Sequence, residues 1–231
     1  MTLDEALTAL RASAEPGRAE QMAAYHKQSR EVIGIPNPVT NDLTKSWRRS
    51  LSVPQRVELA RLLWDTDIFE ARIAAAKLLT QARIRPDEDA WTLIKSWAPD
   101  FDSWAIADHA CMAGQKRLVA DPARVDEIEA WTQSEHMWTR RAALVITLPW
   151  TKQNHPKPHD LEIRDQVLGW AAGYVEDHEW FIQKAIAWWL RELSKHDSPR
   201  VIAFLQAHGE RMKPFARKEA TKHFAKLGLE Y

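Results

Sequence analysis

Residues 180–191 read WFIQKAIAWWLR, and their outline recurs along the chain. The aromatic Phe181 is followed three places on by Lys184, and Ile186, Ala187 and Leu190 fill positions five, six and nine. Four other segments align with it: IFEARIAAAKLL (68–79), SWAIADHACMAG (103–114), MWTRRAALVITL (137–148) and PFARKEATKHFA (214–225). Their aromatic anchors are Phe69, Trp104, Trp138, Phe181 and Phe215, spaced by 35, 34, 43 and 34 residues. A period of this length marks stacked two-helix units, each too small to bury its apolar face alone.

Two other features keep the same register. Prolines follow the first four anchors by 17 or 18 residues, at Pro86, Pro122, Pro156 and Pro199. Proline suits a linker or the first turn of a helix. Aromatics precede three anchors by seven residues, at Trp97, Trp131 and Tyr174. The long spacing coincides with LPWTKQNHPKPHD (148–160), a polar, proline-rich stretch that absorbs an extra loop. Each unit therefore reads as a helix, a turn and a second helix carrying the anchor. The expected fold is all-α: a HEAT-like helical-repeat solenoid, an α-α superhelix forming a single curved domain over residues 1–231. Residues 61–231 carry the tandem repeats, and residues 1–60 form atypical N-terminal helices. Helices are expected over 2–14 and 17–30, with a break at GIPNP (34–38) and helix again from Leu43 to Leu63, interrupted at Pro54.

Composition fits this reading. Only 7 glycines stand against 12 tryptophans, and period-two alternation bounded by turn residues is hard to find. One cysteine, Cys111, excludes an intrachain disulfide and points to a reducing compartment. No apolar run is long enough to span a bilayer, so the expectation is a cytoplasmic monomer without a membrane partner. The 32 basic and 32 acidic residues cancel, so any polyanion partner requires charge to be segregated onto one face.

Positions 0, 3, 4 and 7 of a second helix share a face. Position 3 holds Arg72, Ala107, Arg141, Lys184 and Lys218, four of them basic. Second helices of such solenoids line the concave surface, so the row suits an anionic polymer whose phosphates the cations neutralise. It equally suits a solvated stripe balanced by acids elsewhere. Asp108, at position 4 of the middle unit, interrupts the basic face. A carboxylate there serves either as an ion-pair partner of Arg141 or Lys184, or as a catalytic group inside a cationic groove.

Four segments carry a family resemblance. WFIQKAIAWWLRE (180–192), WTRRAAL (138–144), MAAYHK (22–27) followed by GIPNP, and WAIAD (104–108) occur in order over most of the chain. The sequence resembles the AlkD-type DNA alkylation repair glycosylases, which are HEAT-like repeat proteins. The resemblance implies that Trp104, Asp108 and Trp188 surround the lesion-bearing nucleotide, that Arg141 contacts the DNA backbone, and that Tyr25 lies close to the DNA. With Lys184, Arg72 and Lys218 these are the expected DNA contacts. The implied activity is hydrolytic excision of cationic alkylated purines, of the 3-methyladenine and 7-methylguanine type, from duplex DNA. It needs no base-flipping pocket, metal or cofactor. The implied location is a bacterial cytoplasm, at the nucleoid when acting. The sequence departs from the family at Ala105, where many relatives carry an acid, and after GIPNP, where the basic residues are delayed to Lys45, Arg48 and Arg49.

The chemistry agrees with these residue types. A cationic alkylpurine is a good leaving group without a general acid, whereas the deoxyribose oxocarbenium ion needs a nearby carboxylate. Tryptophan faces favour a cationic base. No lysine stands out as a Schiff-base nucleophile, so a monofunctional enzyme is expected. His155, His159 and Asp160 sit in a proline-rich loop, and Asp108, His109 and Cys111 point in different directions on a helix, so neither set reads as a metal site. KPFARKEATKHFAK (213–226) reads as a basic helix. The alternatives are a HEAT-like protein that binds DNA without catalysis and a protein–protein scaffold.

Overall fold

The computed structural model describes residues 1–229, and these divide into two compact units, one over Met1–Ala120 and one from Asp121 onward. Both are all-helical and built of stacked helix pairs in the HEAT-like manner. Among the described residues no helix is long and apolar enough to cross a membrane.

Unit 1 contains α1 (Leu3–Arg11), α2 (Arg18–His26), α3 (Asn37–Ser50), α4 (Val53–Asp65), α5 (Phe69–Leu79), α6 (Glu88–Ser96) and α7 (Trp104–Ala120). The anchors Phe69 and Trp104 are the first residues of α5 and α7, which pack side by side, while α4 and α6 form the other layer. Ala74, Ala75 and Leu78 are fully buried, as their positions require. Stacked rings of Trp64 and Trp97, with centroids 4.3 Å apart, join α4 to the end of α6 within that layer.

Unit 2 contains α8 (Val125–Glu129), α9 (Met137–Ile146), α10 (Pro158–Gly173), α11 (Trp180–Leu193), α12 (Ser198–His208), α13 (Pro214–Ala220) and α14 (Phe224–Leu227). The second helices α9, α11 and α13 pack in a row, and α10 packs on α12. Ile186, Ala187, Trp189 and Leu190 are fully buried on α11.

Buried arginines clamp the connections. Arg164 on α10, 1% exposed, donates to the carbonyls of Trp150 (2.8 Å) and Gln153 (2.8 Å) and pairs with Asp197 (3.1 Å). Arg117 on α7 does the same for the loop before α6, reaching the carbonyls of Gln81, Ala82 and Ile84 and the carboxylate of Asp87. Both sit where the proline-rich linkers would otherwise leave carbonyls unsatisfied.

Several expected boundaries shift: α1 ends at Arg11 and α2 at His26, short of the expected 14 and 30, the latter before a left-handed Lys27. α3 starts at Asn37, inside GIPNP, because Pro38 occupies the first turn, where its missing N–H costs nothing. The break before α4 falls at Leu51–Ser52, and Pro54 again lies in a first turn. The basic segment 213–226 is two short helices parted at Thr221, whose hydroxyl bonds back to the Arg217 carbonyl.

Candidate functional site

In unit 1 the site begins with Glu70, in the first turn of α5 and 1% exposed. Its carboxylate accepts the backbone N–H groups of Ile33 (2.8 Å), Gly34 (2.7 Å) and Ile35 (3.1 Å). Three such bonds offset the cost of burying the carboxylate. Gly34 has φ +89°, and a Cβ there would stand 2.6 Å from the Ala19 backbone nitrogen. The glycine is therefore what lets GIPNP pass against α2. Arg30, beyond α2, pairs with Asp67 (2.9 Å) and with Asp102 just before α7.

These ties bring the end of α2 to the start of α7. The Tyr25 ring lies 6.2 Å from Trp104, and the His26 ring lies 5.0 Å from Trp104 and 4.8 Å from Phe69. Tyr25 is 72% exposed, which leaves its ring available at the surface. Trp104 and Asp108 are half-buried and one helical turn apart. Arg72, the remaining expected contact in this unit, pairs with Asp67 (3.1 Å), donates to the carbonyls of Trp64 and Asp100, and lies over the Trp64 ring. Its guanidinium is thus engaged within the unit.

His109, next to Asp108, has Nδ1 2.7 Å from the Ala105 carbonyl. That contact assigns the proton to Nδ1 and leaves the Nε2 lone pair as an acceptor. Burial pushes the His109 pKa down; the Ala105 bond opposes this, Lys77 adds to it and Asp108 opposes it. Burial also lowers His26, against the pull of Glu70. Burial, with Arg48 adding to it, pushes Lys77 down to about 8, and its ammonium donates to Asn41. A cavity of about 200 Å³ lies among these groups, lined in part by His26, Phe69, Glu70, Trp104, Ala105 and His109.

In unit 2 four aromatic rings form a row across the starts of the second helices. Trp138 lies 4.6 Å from Phe181, Phe181 4.9 Å from Trp180, and Trp180 stacks on Phe215 at 5.7 Å. Two cations belong to the row: the Arg141 guanidinium lies 5.6 Å from the Trp138 centroid and the Lys184 ammonium 5.8 Å from that of Trp180. Arg141 is buried, Lys184 pairs with Glu219 at 3.7 Å, and Lys218 on α13 is exposed. Trp188, one turn after Lys184, is half-buried beside fully buried Trp189. Sequence reasoning missed Trp180, which is 49% exposed. The signal was the pair Trp180–Phe181: adjacent side chains diverge by about 100° on a helix, so both cannot face the core.

Among the described residues no group of three or more His, Cys, Asp or Glu could hold a metal ion. Asp160 instead caps α10, accepting the Lys157 N–H (2.9 Å) and the Trp150 indole (3.2 Å).

These features define a helical-repeat protein with an exposed aromatic ring in each unit, Tyr25 and Trp180, and with lysines beside the aromatic row of unit 2. A family model described as "DNA alkylation repair enzyme" matches residues 6–224, and the chain belongs to that family. Membership supports an enzymatic role on DNA in general. Among solved structures the chain is similar to a predicted DNA alkylation repair enzyme from Enterococcus faecalis. The TM-score is 0.78 at 23% identity, over 93% of this chain and 98% of that one. It is also similar to smu.31 from Streptococcus mutans UA159, with TM-score 0.60 at 19% identity, over 79% of this chain and 90% of that one. At these identities the two structures speak for the fold. No curated protein matches.

Proposed function

We propose that the protein is a monofunctional DNA glycosylase that removes cationic alkylated purines, of the 3-methyladenine and 7-methylguanine type, from duplex DNA. The observation that carries this reading is Asp108, a half-buried carboxylate on α7 one turn beyond Trp104, whose ring joins the cluster of Tyr25 and His26. The C1′–N bond breaks and its electron pair leaves with the base, cancelling the base's positive charge. The sugar becomes an oxocarbenium ion, which the Asp108 carboxylate stabilises. Water then adds to C1′ and loses its proton to solvent or to Asp108. The Trp104 ring offers a π face that favours a cationic base over a neutral one. Lys184 and Lys218 hold phosphates and Tyr25 touches the duplex, whereas the expected contact Arg141 is buried beside Trp138 and supports the aromatic row instead. The base needs no pocket before the bond breaks, because the alkyl group has already made it a good leaving group.

A lyase step needs an amine nucleophile. Lys77 has a lowered pKa but is 9% exposed and bound to Asn41, so hydrolysis alone is proposed. The test is to incubate the protein with methylated duplex DNA, separate the released bases by chromatography, and treat a parallel sample with borohydride. Release of 3-methyladenine or 7-methylguanine without a trapped protein–DNA adduct supports the reading; intact DNA refutes it. The engagement of Arg72 by Asp67 and of Lys184 by Glu219 favours a second reading, a scaffold whose cations serve its own fold. A scaffold shows no salt-dependent DNA binding.

A further inference from the structure

The 200 Å³ cavity of unit 1 has a lining that selects its ligand. One wall is aromatic, made of His26, Phe69 and Trp104, whose rings are already in contact through His26. Ala105 contributes only a methyl group, which keeps the space beside Trp104 open. The acceptors on offer are the His109 Nε2 lone pair, the oxygen of the Asn37 amide and the Thr40 hydroxyl, whose own proton goes to the Pro36 carbonyl, while the Glu70 carboxylate is taken up by three backbone N–H groups. The Nδ1 of His26 is buried and has no hydrogen-bond partner. No lysine or arginine lines the cavity, so phosphate, sugar phosphate and carboxylate ligands are excluded by the chemistry of the wall. The volume lies below the roughly 300–1,000 Å³ of sites for drug-sized ligands, which suits one ring system and no attached nucleotide.

We infer that this cavity is a binding site for a free purine base, specifically the alkylated base after its release. The inference rests on the glycosylase reading for the base's origin, but the site's chemistry stands without it. A planar base bearing N–H donors stacks on Trp104 and His26 and donates to the acceptors of the wall. Trp104 lines the cavity and stands one helical turn before Asp108 on α7. Retention of the base makes it a product inhibitor.

The test is isothermal titration of the full-length protein with free 3-methyladenine and 7-methylguanine, with ribose 5-phosphate as the anionic control. Two variants obstruct the cavity. Ala105→Leu fills it from within, and Asn37→Trp covers it from an exposed position where a larger side chain leaves the core intact. Circular dichroism verifies that each variant is folded. The expected result is saturable binding of the bases by the wild type, none of the sugar phosphate, and at least tenfold weaker base binding in each folded variant. Absence of base binding by the wild type, or equal binding in the folded Asn37→Trp variant, overturns the proposal. Base binding without release from methylated DNA leaves the site standing and removes the glycosylase reading. Release from DNA without base binding does the reverse.

Discussion

Gly34 shows how one residue positions a site that it does not join. Its left-handed backbone turns three N–H groups onto Glu70 while the chain passes within contact of Ala19. Gly34→Ala places a Cβ in a strained conformation and against backbone, so a loss of about 2 kcal/mol is expected. Urea unfolding of the variant measures it. The two histidines give unit 1 a pH dependence. Their folded pKa values lie below the ordinary 6.5, so below that pH the unfolded chain binds more protons than the folded one. Stability is therefore full above about pH 6.5 and falls as the pH drops beneath it. Replacing His109 with Gln, which does not titrate, flattens the slope of stability between pH 7 and pH 5; an unchanged slope shows that His109 does not contribute. Trp180 belongs to the surface that meets DNA in the proposed function. Trp180→Ala is expected to weaken DNA binding about fivefold, roughly 1 kcal/mol, through lost apolar contact with the sugars of the duplex backbone. Fluorescence anisotropy reads the change.

At the scale of the element, the second helices were legible because their requirements repeat. An aromatic at the start and mainly small or apolar residues at positions five, six and nine are dictated by packing between neighbours, and α5, α7, α9 and α11 start within a residue of their anchors. The N-terminal helices were less legible because GIPNP reads as a break, whereas Pro38 in fact opens α3. Long-range ties left no local pattern: nothing near Glu70 in sequence announces that its partners lie 35 to 37 residues earlier. The arginine clamps are similar. Asp197→Ala leaves the Arg164 charge buried without its carboxylate, which costs about 3 kcal/mol and lowers Tm by roughly 6–12 °C. Differential scanning calorimetry tests this, and a change under 2 °C would mean that the carbonyl bonds suffice. The motifs singled out Trp104, Asp108 and Tyr25, and of these the structure brings the Tyr25 and Trp104 rings together. The cavity beside Trp104 was not legible, because it is enclosed by side chains from four separate helices.

At the scale of the whole molecule, 32 cations and 32 anions leave no net charge, so affinity for DNA depends on which cations are exposed and unshared. Arg72 and Lys184 have carboxylate partners, whereas Lys218 is exposed on α13. Lys218→Ala is expected to reduce the slope of log K against log salt by about one. Membership of the DNA alkylation repair enzyme family gives the substrate's general nature, and the proposed chemistry turns on one carboxylate, that of Asp108. The central measurement is the single-turnover rate of base release from methylated duplex DNA by Asp108→Asn relative to wild type, with DNA affinity measured alongside. Loss of a preorganised electrostatic group predicts a rate lower by about 10²–10³-fold, or roughly 3–4 kcal/mol, with binding retained. Equal rates in the two proteins would contradict the account and assign Asp108 to the fold alone.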